Sequence, residues 1–291
     1  MPISVIPNFE YHVPANLQEA LELLDKYGAS AKVIAGGTDL IPKMKGGACA
    51  PEHVISLKKL GELKYINYCE KSGLAIGATT IIREVEINNI VREKYNALYQ
   101  GIHCIASTQI RNAATITGNI CNAVPSADSA PAALVLGAKL KIQSVNGERI
   151  VPIEEFFTGV CKTVLQPNEL VTELQYPNPA AGSNSIYCKY SIRNALDLAM
   201  VGVAASVTMD GDVCTDAKIG LGAVAITPKR AYQAEDAIIG QVLNDELIKK
   251  AALLASQNDC CPISDIRASC EYRNEMVRLL TRDALKKASG C

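Results

Sequence analysis

No Cys-x-x-Cys pair occurs among the eleven cysteines of this 291-residue chain. Metal and iron–sulfur sites reuse short fixed spacings, so the scatter predicts reduced thiols used as small apolar residues rather than a cluster. Only Cys260 and Cys261 are adjacent. Histidine is scarce. His12, His53 and His103 stand far apart, and no Ser-His-Asp arrangement can be read from them, so nothing signals a hydrolase. Basic excess is missing too: the net charge is −1, which leaves no electrostatic footprint for nucleic acid. No apolar run approaches the roughly 18 residues that would suggest a membrane span. The opening stretch, MPISVIPNFEYHVP, has neither the basic nor the apolar region of a secretory signal, and a cytoplasmic location is expected. Internal repeats and low-complexity segments are lacking as well.

What is present is a globular balance, 48% hydrophobic against 20% charged, with length for one to three domains. Residues 16–27 predict a helix: Asn16 can cap it, Glu19 completes a capping box, and Leu17, Ala20, Leu21 and Leu24 share a face. Gly28 sits where a helix-ending glycine belongs. Residues 31–35 then form a strand leading into a glycine loop. Residues 53–57 and 74–78 predict strands, and 79–103 a helix in two pieces. Asp128 or Ser129 can cap a helix over 131–136. Asn146-Gly147 predicts a hairpin of strands 139–144 and 148–151.

Composition shifts at Pro177-Asn178-Pro179-Ala180-Ala181-Gly182-Ser183-Asn184, which marks a linker. Beyond it, residues 185–191, 199–209 and 217–225 predict three antiparallel strands. Helices over 231–239 and 245–257, then 265–288, follow. The expected class is α+β, with a domain over 1–177 (subdomains about 1–57 and 58–177) and another over 184–291.

Two stretches organise the chain: Val33-Ile34-Ala35-Gly36-Gly37-Thr38-Asp39-Leu40, and Thr115-Ile116-Thr117-Gly118-Asn119 with Pro125-Ser126-Ala127-Asp128-Ser129 downstream. Glycine lets backbone N–H groups approach a phosphate, and concave sets of N–H groups bind anions. Two such loops suggest a large ligand with a pyrophosphate in its middle. A Rossmann reading is weaker. Gly36-Gly37 lacks the Gly-x-Gly-x-x-Gly spacing, and the looser Gly220-Leu221-Gly222 run meets Thr227-Pro228 where a helix should continue. A turn within a sheet is the competing account of that run.

AGGTDL and TITGNICNAVPSADSAP resemble the FAD-binding subunit of the molybdenum hydroxylases, the xanthine dehydrogenase family. Thr117 stands where the family usually has its first glycine, which a Cβ tolerates only at negative φ. The resemblance extends to Gln109-Ile110-Arg111-Asn112, Glu169-Leu170-Val171, Arg193 to Ala199, Asp265 to Ser269 and Tyr272-Arg273. It implies a two-part FAD-binding domain of the vanillyl-alcohol oxidase (PCMH) type, then a C-terminal α+β domain of the CO dehydrogenase flavoprotein type. One branch of the family, similar to the benzoyl-CoA reductases, inserts a cysteine-rich loop where this chain has only a short strand–turn–strand between Leu136 and Val151.

By that resemblance Val33 to Leu40 and Thr115 to Asn119 wrap the FAD pyrophosphate and ribityl chain. Asp128 bonds flavin hydroxyls, caps a helix, or does both. Val171 is an apolar flavin contact or simply core. Lys189 stands near the flavin or is a solvated edge lysine. Arg111, Arg193 and Asp197 order the pocket or pair with one another. The family assembles three chains, as a heterotrimer or a dimer of heterotrimers. A large subunit holds the molybdenum cofactor, a small one carries two 2Fe–2S clusters, and the FAD subunit takes electrons from them and reduces NAD⁺. A purine such as xanthine is the first guess for the substrate, while other members act on nicotinate, carbon monoxide or phenolic compounds, some reductively. The rivals are a self-contained FAD oxidoreductase of the vanillyl-alcohol oxidase fold and a scaffold that has lost its flavin.

Overall fold

A computed structural model describes residues 6–193 and 196–290. The first layer is a three-stranded parallel sheet. Strand β1 (Glu10–His12) leads into helix α1 (Leu17–Tyr27), then β2 (Ala31–Ile34), α2 (Leu40–Lys45) and β3 (His53–Ser56), with β3 in the middle. Helix α1 starts as its sequence predicts. The Asn16 side chain accepts the Glu19 N–H at 2.9 Å, and Glu19 reaches back to the Ala15 N–H at 2.7 Å. Gly28 ends it at a φ of +48°. Ala20, Leu21 and Leu24 are buried in one cluster with Ala31 and Ile55, which fixes the angle at which β2 delivers the glycine loop.

A larger antiparallel sheet follows. It contains β4 (Ile66–Cys69) and β5 (Gly73–Gly77), then, after six helices, β6 (Lys139–Ser144) and β7 (Gly147–Pro152). The helices are α3 (Ile82–Glu86), α4 (Asn89–Lys94), α5 (Asn96–His103), α6 (Thr108–Arg111), α7 (Ile116–Cys121) and α8 (Ser129–Val135). After β7 come α9 (Ile153–Phe156), a small hairpin of β8 (Phe157–Gly159) and β9 (Lys162–Thr163), and β10 (Leu170–Tyr176). The order is β4-β5-β10-β6-β7, so β10 returns to fill the centre. Leu74, Ile76, Leu140, Ile142 and Leu174 of the sheet share a core with Ile82, Leu98, Ile116 and Ile120 of the helices. The stretch read as two helical pieces over 79–103 is three helices. Asn88 restarts the chain by accepting the Val91 N–H, and Tyr95 breaks it again at φ −124°, ψ 54°.

The C-terminal part is an antiparallel sheet of β11 (Ser183–Tyr190), β12 (Val201–Asp210), β13 (Val213–Gly222) and β14 (Lys229–Arg230). Helices α10 (Tyr232–Asp236), α11 (Asp245–Leu254) and α12 (Cys270–Ser289) follow. The three-stranded sheet read from sequence gains β14, whose two residues are too short to show periodicity. Helix α12 starts at Cys270, capped by Ser269, instead of at residue 265. Asp265 serves another purpose: it accepts a bond from the buried Arg273 guanidinium at 2.8 Å, while Arg273 also donates to the Met200 carbonyl. This ties α12 to the start of β12.

The Gly220-Leu221-Gly222 run lies in β13 and forms no dinucleotide turn. A Cβ at Gly220 would fall 2.6 Å from the Pro131 carbonyl oxygen, and one at Gly222 would fall 2.7 Å from the Pro131 ring. These glycines therefore clear the bed on which α8 rests, locking the C-terminal sheet against the earlier part of the chain. Tyr187 and Ala204 join the core of the larger sheet for the same reason.

Candidate functional site

The two glycine stretches meet, and the reason lies in their backbones. Ile34 ends β2 and accepts the Leu57 N–H at 2.9 Å, turning the chain outward. Gly36 then passes so close to residues 113–114 that an added Cβ would stand 2.1 Å from the Ala113 carbonyl oxygen. Gly37 has a φ of +74°, where a side chain is strained. On the facing side Thr115 caps α7 by accepting the Gly118 N–H at 3.0 Å. The Ile82 N–H donates to Ala114 at 2.8 Å and anchors that strand-like entry. Thr117 sits inside the helical turn at negative φ, so its Cβ is tolerated where the family has glycine.

Between the stretches lies a cavity of about 780 Å³, at the upper end of the range for small-molecule sites. Val33, Ile34, Ala35, Gly36, Gly37, Thr38, Asp39 and Leu40 line it, and so do Thr115, Thr117, Gly118, Asn119, Asp128 and Val171. Ile116 does not. The helical period turns its side chain into the core, where it is fully buried, so its expected contact becomes a packing role. Lys189 is also outside the lining. Its ammonium lies behind Asp128, donating to Asp128 Oδ2 at 2.8 Å and to the Cys104 and Asp197 carbonyls at 3.2 and 2.8 Å.

Asp128 precedes α8 without capping it: no side-chain cap bond forms, and its backbone is already helical. Its carboxylate instead accepts from the Tyr187 hydroxyl at 2.7 Å and from Lys189. Burial pushes the Asp128 carboxyl upward, and Lys189 and Tyr187 hold it down. Since Lys189 is 10% exposed, this is a buried ion pair whose carboxylate borders the cavity. Asp39 is raised by burial, with Lys43 opposing. Val171 lies where the ladder between β10 and β6 shifts, a β-bulge at the cavity wall. Only 2% exposed, it is core and lining together.

Arg111 does not reach the cavity. It is buried against Glu86 at 3.0 Å and donates to the Ile105 carbonyl, shaping the segment that carries Ile105 and Ala106. Burial raises the Glu86 carboxyl, but bonds from Arg83, His103 and Arg111 bring it below its ordinary value. Arg193 and Asp197 pair at 3.4 Å on the surface, with Asp197 also lining the cavity.

Sequence reasoning missed Lys43 and Asn122. The Lys43 ammonium, from α2, donates to the Asn122 side chain just after α7, so a cation bridges the two stretches at the cavity. No local signal marks a pair 79 positions apart. Ala106, Cys161 and Leu196, three of the five described non-glycine residues at positive φ, also line the site. Backbone strain of this kind concentrates at ligand sites. A buried polar atom points the same way. Thr117 lines the cavity, and its Oγ1, buried and without a hydrogen bond, reaches a ligand there by a turn about χ1. The glycine backbones, hydroxyls, lysine and orphaned oxygen fit a dinucleotide such as FAD.

Comparison with known proteins agrees. The family described as "FAD binding domain in molybdopterin dehydrogenase" matches residues 7–179, and "CO dehydrogenase flavoprotein C-terminal domain" matches 186–288. The glyceraldehyde dehydrogenase medium chain of Sulfolobus acidocaldarius is 34% identical over 97% of this chain and 99% of its own length. A xanthine dehydrogenase FAD-binding subunit of Escherichia coli is 34% identical over 96% of this chain and 95% of its own. Among solved structures, carbon monoxide dehydrogenase of Hydrogenophaga pseudoflava superposes with a TM-score of 0.94 at 33% identity, covering 98% of this chain and 99% of that one. The cavity, its two glycine stretches and these matches together place the chain in the family of FAD-binding, medium subunits of the molybdenum hydroxylases.

Proposed function

We propose that this chain binds FAD across the cavity and serves as the electron-transfer subunit of a heteromeric molybdenum hydroxylase. The convergence of both glycine stretches on one cavity carries the reading. Bound FAD supplies the redox chemistry. Residues 33–40 and 115–119, Ile116 excepted, receive the pyrophosphate and ribityl chain, with Lys43 as the countercharge. Asp128, held by Tyr187 and Lys189, offers its remaining lone pairs to ribityl or sugar hydroxyls. Val171 packs against the flavin surroundings, and Lys189 acts through Asp128.

In this reading a small partner chain with 2Fe–2S clusters delivers electrons, a large partner carries the molybdenum cofactor and the substrate, and NAD⁺ is the acceptor. The assembly is a heterotrimer or a dimer of heterotrimers in the cytoplasm. Relatives named as medium chains or FAD subunits include carbon monoxide, xanthine and nicotinate dehydrogenases, so the substrate is set by the partner, and a purine is the first to try. The same reading divides the chain at 1–177 and 184–291, supported by family matches that end at 179 and begin at 186.

Thr117→Val tests the site. It keeps the side-chain shape and removes the orphaned hydroxyl. FAD affinity is expected to fall by about 0.5–1.5 kcal/mol, the net worth of one hydrogen bond, while the melting temperature of the flavin-free protein stays level or rises. Unchanged affinity on titration removes Thr117 from the flavin contacts.

The acceptor is tested separately. The flavin-loaded chain alone is expected to reduce an artificial dye with NADH, yet to leave xanthine untouched with NAD⁺ until the partner chains are added. Substrate oxidation by the chain alone, shown free of partners by mass spectrometry, would establish the self-contained oxidoreductase instead. Failure of the dye reaction would reject NAD and leave FAD binding standing.

A further inference from the structure

Two histidines that stand 41 positions apart in sequence come together in space. His12 ends β1 and His53 opens β3, and parallel pairing of these strands aligns Glu10 with His53. His12 Nε2 lies 3.1 Å from His53 Nδ1. Glu10 Oε2 lies 3.4 Å from His53 Nδ1 and 3.8 Å from His12 Nε2. The Tyr27 ring stacks on both imidazoles, with centroids 3.7 Å from His53 and 5.0 Å from His12. The imidazoles are mostly covered, at 19% and 15% side-chain exposure, while Glu10 is open to solvent at 70%.

We infer that Glu10, His12 and His53 form a binding site for a divalent transition-metal ion of the zinc class. The chemistry is that of two neutral imidazoles and one carboxylate, a donor set that Zn²⁺ favours. The geometry fits as well. Zinc–ligand bonds of about 2.0–2.1 Å in a tetrahedron separate the donor atoms by about 3.3 Å. The three observed separations bracket that distance. The Tyr27 ring restrains both imidazoles, so little rotamer freedom remains to be lost on binding. A fourth position, on the exposed Glu10 side, is open to water.

The site sits where β1, β2 and β3 begin, since Ala31 and Glu10 both pair with His53. An ion there clips the three-residue edge strand β1 to the sheet whose other end delivers the glycine loop. It stands apart from the flavin cavity: none of Glu10, His12 and His53 lines it.

Exposed thiols compete for zinc, so the titration uses the full chain carrying Cys69→Ser, Cys161→Ser and Cys261→Ser, the three exposed cysteines among those described. Calorimetry with Zn²⁺ is expected to give one ion per chain at micromolar affinity or tighter. Glu10→Gln, at a position too exposed to unfold the chain, is expected to weaken binding roughly tenfold or more. His12→Gln with His53→Gln is expected to abolish it, with circular dichroism confirming the fold. Crystals soaked in Zn²⁺ should show anomalous density at the zinc edge between the three side chains. Equal binding by Glu10→Gln, or density elsewhere with none at these residues, overturns the site.

Discussion

Gly36→Val is expected to strip the chain of FAD and lower its stability together. The Cβ would lie 2.1 Å from the Ala113 carbonyl oxygen, 2.7 Å from its carbon and 2.8 Å from Ala114 Cα. All three are backbone atoms, so no side chain can swing aside. Either the first loop or the segment entering α7 must retreat, and the cavity between them loses its shape. Overpacking of this kind costs about 1–3 kcal/mol, and a branched residue between two fixed backbones belongs at the upper end. Gly118→Val provides the contrast. Its Cβ would meet only the Thr115 hydroxyl, at 2.9 Å, and would strain the cap of α7 without parting the loops. Flavin-to-protein ratio and melting temperature, measured on both variants, check the claim. A Gly36→Val protein that retains stoichiometric FAD at wild-type stability would refute the account.

Asp128→Ala should be the costliest change at the polar end of the cavity. It leaves the Lys189 ammonium buried without its counter-ion and the Tyr187 hydroxyl without its acceptor. Breaking one partner of a buried ion pair costs about 3–5 kcal/mol, because the remaining charge stays desolvated. Loss of a helix cap would cost only about 1 kcal/mol, and Asp128 makes no cap bond in any case. The double change Asp128→Ala with Lys189→Met is therefore expected to recover much of the loss on denaturant unfolding, since it removes the stranded charge. Flavin affinity separates the second role. If Asp128 also accepts from FAD, affinity stays reduced in the double variant after stability has returned; full affinity there would confine Asp128 to the ion pair.

Much of the local structure was legible because it depends on near neighbours. Asn16 and Glu19 specify the start of α1 by bonding N–H groups within one turn, and Gly147 marks the hairpin by its positive φ, with Val145 and Asn146 as the loop between the paired Ser144 and Gly147. The glycine stretches announce a ligand because only glycine allows such close backbone approach, and their joint resemblance named the family.

Tertiary structure decided what these residues do. Gly36 clears space for the Ala113 backbone while it lines the cavity, so its lack of a Cβ joins the two stretches as well as opening one of them. The helical period turns Ile116 inward while Thr117 and Gly118 face the cavity. Asp128 meets Lys189 across 61 positions and Lys43 meets Asn122 across 79, so a lysine expected at the flavin stands behind a carboxylate while an unremarked one takes the wall. His12 and His53 looked unrelated until parallel pairing of β1 with β3 aligned them. Spacing along a chain encodes caps, turns and faces, whose partners lie within a few residues. Which faces meet is set by how the sheets and helices bury one another, and that information is spread over the whole core.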